Sequence, residues 1–124
     1  MTWKNYKELQ VWEKAMQLAD LCFELSVQLL PQEAAALGEQ LRRISAEIPS
    51  AVAEGYGRGV QRELYRHMML ARGAVYALEI TLLLCVRRGY LSEAQAENAL
   101  ELCGALAELL TTTTQHSTRS TQSG

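Results

Sequence analysis

Apolar residues in this chain recur at alternating steps of three and four, in four successive stretches. That period keeps side chains on one face of an α-helix and is incompatible with the alternation of a strand. The first stretch carries it twice, as Leu9, Trp12, Met16, Ala19, Phe23, Ser26 and Leu30 and as Val11, Ala15, Leu18, Cys22, Leu25 and Leu29. Leu37, Leu41, Ile44, Ile48 and Val52 make the second, and Leu64, Met68, Ala71, Val75, Leu78, Leu82 and Cys85 the third. The fourth is again double, with Ala99, Leu102, Leu106 and Leu109 beside Leu100, Cys103, Ala107 and Leu110.

Punctuation between these stretches sets the helix ends. Pro31 ends the first helix or opens the second. Gly89, with Arg87 and Arg88 just before it, reads as the cap of the third, and Ser92 with Gln95 as the capping box of the fourth. Gly55, Gly57 and Gly59 alternate with Tyr56 and Arg58, so Gly55 reads as the second helix's C-cap and the rest as a turn. Pro49 interrupts the second helix: it either kinks it or starts a separate short one, and the unbroken apolar rhythm favours the kink. The expected helices cover about 8–30, 32–55, 60–89 and 92–113, making residues 1–113 one domain. Four Thr at 111–114 weaken the last helix, and the Ser/Thr/Gln-rich residues 114–124 read as a disordered tail. The expected fold is all-α, an antiparallel up-down-up-down four-helix bundle of left-handed twist.

A bundle helix needs one apolar stripe, yet the first and fourth have two. These helices are neighbours in an up-down bundle, so their surplus faces predict one outer patch and a homo-oligomer. The candidate interface is Val11, Leu18, Cys22, Leu25, Leu100, Cys103 and Leu110.

Catalytic chemistry finds no foothold. Cys22, Cys85 and Cys103 are far apart in apolar patterns and read as buried reduced thiols. His67 and His116 have no metal-ligand spacing, and the Gly-rich turn follows a helix where a phosphate loop needs a strand. No metal, cofactor or small-molecule substrate is expected. The longest uncharged apolar run, Ile80 to Val86, is far short of the ~20 residues of a membrane span. Without an apolar core after the charged N-terminus no secretory leader is expected, and a cytoplasmic location is the expectation.

Charge is uneven. Between Arg42 and Arg88 there are eight Arg against four acids, although the whole chain carries −2. Arg58, Arg62 and Arg66 repeat at helical spacing as either a solvated face with local ion pairs or a nucleic-acid-binding edge. A polar stripe on the second helix (Gln40, Arg43, Glu47, Ser50, Glu54) faces another on the third (Tyr65, Met69, Arg72, Tyr76, Glu79). Arg43 is expected to meet Glu79, and Arg72 to meet Glu47 or Glu54, as an interhelical network that fixes register. A catalytic carboxylate pair is the alternative, but it requires a substrate cleft that no motif indicates.

The segments LQVWEKAMQLA (9–19), EQLRRISAEIPSAVAEGYGRG (39–59) and LARGAVYALEITLLL (70–84) resemble the ribosomal-RNA intervening-sequence protein family. The similarity covers about residues 6–110 in the same order. It implies a four-helix bundle, often assembled as a pentameric toroid, cytoplasmic and without known enzymatic activity. It implies roles for Gln40, Arg43, Glu54, Arg72 and Glu79, which match the family pattern, whereas its Asn two residues after the Pro is Ala51 here. The family in turn resembles the accessory protein of diversity-generating retroelements, which engages a reverse transcriptase and nucleic acid. Two functions follow as expectations: a non-enzymatic homo-oligomeric scaffold or adaptor, and an RNA- or DNA-binding accessory protein with a polymerase partner.

Overall fold

The computed structural model describes residues 5–29 and 32–123, with the side chains of Glu8, Glu33 and 114–123 left out. The helix boundary expected at Pro31 lies outside the described residues. Four helices follow one another: α1 (Gln10–Ser26), α2 (Ala35–Gly57), α3 (Gln61–Arg87) and α4 (Glu93–Ser123). Single turns of 3-10 helix, Tyr6–Glu8 and Gln32–Ala34, lead into α1 and α2. Among the described residues there is no strand.

Cross-helix bonds establish the antiparallel order. Gln40 and Glu54 of α2 meet Thr81 and His67 of α3 respectively, so α3 runs back along α2. Arg72 of α3 bonds Thr111 of α4, Arg42 of α2 bonds Ser26 of α1, and Gln95 of α4 bonds Gln28 beyond α1. The bundle is up-down-up-down, with α2 packed most heavily on α3 and α1 touching α4 least. One core runs through all four helices, built on Leu18, Cys22, Leu41, Ile48, Val52, Met68, Leu78, Leu82, Leu106 and Leu110.

The punctuation reads out locally. After α3 the Tyr90 N–H reaches the Cys85 carbonyl and the Gly89 N–H that of Val86. Gly89 takes a φ of +75°, the left-handed cap expected there. The Ser92 and Gln95 side chains each accept the other's backbone N–H, closing the capping box. α2 passes through Pro49 as one helix, which removes the split-helix alternative. Pro49 deprives the Ser45 carbonyl of its helical donor, but the flanking Ile48 and Val52 are fully buried and hold the helix on the core.

Two boundaries differ from expectation. Gly55 does not cap α2: it is buried inside the helix, and Gly59, with a φ of +75°, makes the turn two residues after α2 ends. α4 continues to Ser123 instead of giving way to a disordered tail at 114. Thr111, Thr112 and Thr113 bond their hydroxyls to the carbonyls of Ala107, Glu108 and Leu109 four residues back. Their polar groups are therefore satisfied without leaving the helix. α3 is long and apolar enough to cross a bilayer by length and composition; within the bundle its Leu64-to-Cys85 seam is buried against its neighbours, while only 33% of its most apolar stretch is buried.

Candidate functional site

The α2–α3 turn brings charged groups together. His67 of α3 is buried, 3% exposed, because it packs directly on the Gly55 backbone of α2. Its Nδ1 lies 2.8 Å from the Glu63 carbonyl, which fixes that nitrogen as the donor. Its Nε2 is 3.8 Å from a carboxylate oxygen of the exposed Glu54. Glu63 accepts a 3.0 Å bond from Arg66 Nε, and that guanidinium, with His67 and Arg58 nearby, holds its carboxyl below the usual carboxylate range. The sequence reading weighed His67 only as a metal ligand and did not place it against α2. The signal for it was its place four residues before Ala71, at the edge of the α3 core seam.

Of the Arg edge, Arg66 is therefore already engaged. Arg58 and Arg62 are exposed and form no ion pair among the described residues.

The expected interhelical network does not form as one unit. Arg43 pairs with Glu47 on its own helix at 3.5 Å, both groups facing solvent, and does not reach Glu79. Arg72 turns to the other neighbour and donates to Thr111 Oγ1 at 3.1 Å. Gln40 donates to the buried Thr81 at 2.8 Å, and the Thr81 hydroxyl donates in turn to the Ala77 carbonyl at 3.1 Å. Glu54 serves His67. Glu79 has no ion pair among the described residues; its charge falls on Cys103 and adds to the burial that pushes that thiol up to about 12. Thr81 and Thr111 were the unexpected partners, since a hydroxyl amid apolar residues gives no stripe.

The expected oligomer interface is corrected. Val11, Leu18, Cys22, Leu25, Cys103 and Leu110 are all buried within the single chain, and Leu100 is half-buried. Helix α1 turns that stripe inward onto α2 and α4, and leaves the Trp12, Met16 and Phe23 stripe on its outer side. Those side chains, with Tyr6, Ala19, Asp20, Ala46, Pro49, Ser50 and Ala53, line a groove of about 470 Å³ between α1 and α2. Phe23 is 47% exposed there. A second apolar surface lies along α3, where Leu70, Gly73, Ala77, Ile80 and Leu84 step outward at helical spacing, with Ile80 56% exposed.

Among the described residues no group of three His, Cys, Asp or Glu is placed to hold a metal ion. The three thiols are buried, and burial pushes Cys22 up to about 12 and raises Cys85. That places them among structural, unreactive cysteines.

No curated protein matches the chain. A family model does: the one described as 23S rRNA-intervening sequence protein matches residues 7–112, from the turn before α1 through the core-forming length of α4. Its match takes in the Pro49 helix, the Gly turn and the α3 surface together. The chain therefore belongs to the 23S rRNA-intervening sequence protein family.

Proposed function

We propose that this protein is a non-enzymatic, cytoplasmic, homo-oligomeric scaffold or adaptor, with five subunits the number the family resemblance leads us to expect. The observation that carries the reading is the pair of apolar surfaces, the α1–α2 groove and the outer stripe of α3, that one chain leaves uncovered. Large apolar patches of this kind mark association sites. Light scattering coupled to gel filtration tests it: the expected molar mass is a multiple of 13.8 kDa at micromolar concentration, and a single 13.8 kDa species refutes it.

A second reading is an RNA- or DNA-binding accessory role, favoured by Arg58 and Arg62 standing exposed at the α2–α3 turn without an ion pair among the described residues. Retention on an RNA column at low salt that falls steeply at moderate salt supports it. No retention at low salt, or retention unchanged by Arg58→Ala with Arg62→Ala, removes it.

A further inference from the structure

The two uncovered surfaces differ in shape and in charge. The α1–α2 groove is concave, floored by Pro49, Ala46 and Ala53 and walled by Trp12, Met16 and Phe23. Its α1 rim is acidic: Glu13, Asp20 and Glu24 stand exposed along the outer side of that helix, and Asp20 lines the groove itself. The α3 stripe is a convex ridge. Leu70, Ile80, Leu83 and Leu84 project from it, while Gly73 and Ala77 leave its centre low. A Cβ placed on Gly73 would meet nothing within 4 Å, so the low point is open to an incoming helix. The ridge is basic at both ends, with exposed Arg62 before it and Arg87 and Arg88 after it, Arg66 being taken up by Glu63.

We infer that the α3 ridge of one copy of this chain seats in the α1–α2 groove of the next. Hydrophobic matching alone would accept many helices; what selects a second copy is the acidic rim against the basic ridge ends. A rival seat exists beside α3, a hollow of about 560 Å³ lined by Leu83, Val86 and Leu100. Leu83 is itself a ridge residue, so in a head-to-tail contact this hollow could not serve as seat while its own ridge is engaged; the α1–α2 groove shares no residue with the ridge.

Groove and ridge are different patches of the same molecule, so the contact is head-to-tail. Every subunit then uses one groove and one ridge, and the assembly closes as a ring when its rotation allows. This inference rests on the oligomeric reading above and adds to it which surfaces meet.

The test uses two full-length variants, Phe23→Glu in the groove and Ile80→Glu on the ridge. Both positions are about half exposed, at 47% and 56%, and circular dichroism checks that the fold survives. Should either variant lose helicity, Met16→Gln and Leu84→Gln replace them. Each variant alone is expected to run as a monomer. Their equimolar mixture is expected to form one-to-one pairs, because one partner keeps its ridge and the other its groove. A lone contact lacks the reinforcement of a closed ring, so the mixture is examined at up to roughly a hundredfold higher concentration. Either variant keeping the wild-type mass by itself overturns the inference, as does a mixture that stays monomeric throughout. The oligomeric reading survives both of those results, whereas a monomeric wild-type protein removes both.

Discussion

Gly55→Ala separates helix propensity from packing at the joint between α2 and α3. By propensity alone, replacing a mid-helix Gly with Ala stabilises by about 1 kcal/mol. The structure reverses the sign. An added Cβ would lie 2.6 Å from His67 Cβ, 3.2 Å from its Cγ and 3.3 Å from Leu64 Cα. Two of those atoms are anchored to the α3 backbone, so α2 and α3 must separate for it to fit. Overpacking of this kind costs about 1–3 kcal/mol, and here it also loosens the buried His67. Set against the propensity gain, the net expectation is a loss of up to about 2 kcal/mol, or a Tm lower by up to roughly 8 °C. Gly104→Ala is the control, since a Cβ at that exposed position in α4 meets nothing within 4 Å. It should raise stability by about 1 kcal/mol. Urea or thermal melts at one fixed protein concentration compare the two, because assembly would make Tm depend on concentration. If Gly55→Ala stabilises as much as Gly104→Ala, the close approach of the two helices is not what makes Gly necessary at 55.

Three further outcomes follow from the site. Glu79→Ala should change stability by less than about 0.5 kcal/mol in a chemical melt, because this carboxylate has no ion pair to lose among the described residues; a loss above ~2 kcal/mol would restore the interhelical network. Cys22 and Cys103, pushed from 9.0 to about 12, should react with a thiol reagent at pH 8 about a thousandfold more slowly than in denatured protein. Rapid native labelling would contradict their burial. Glu63, its carboxyl held below the ordinary 4.5 first by the Arg66 bond, should titrate below that value by NMR. A group lowered in the folded state contributes stability above its unfolded pKa and loses it as pH falls through the folded one. Glu63→Gln should therefore flatten the stability profile at and below the ordinary carboxylate range, and an unchanged acid limb would refute the assignment.

The helices, the α3 cap and the capping box of α4 were legible in the sequence because each depends on near neighbours in the chain. Surface assignment was not. The pattern shows that α1 has two apolar stripes, but which one turns inward depends on where α2 and α4 lie, and the choice went against the interface first expected. Partner choice failed for a related reason. Gln40 does reach across to α3, but Arg72 turns to α4 and away from the stripe expected to face it, and the partners Thr81 and Thr111 are hydroxyls amid apolar and weakly polar runs that carry no charge signal. Gly55 shows the same limit: the residue stood out at once, but its reason is an atom of His67 twelve positions away, not a backbone angle.

The thin contact between α1 and α4 sets where the molecule opens. A helix held firmly on one side only tends to lift away before the rest unfolds, so amides of α1 should exchange with solvent faster than those of α2 or α3. Yet α1 supplies one bank of the groove, and a ridge lodged between the banks would hold it down. Neighbouring copies would then act as a clasp on each other's first helix, and dilution would loosen each subunit as well as separate them.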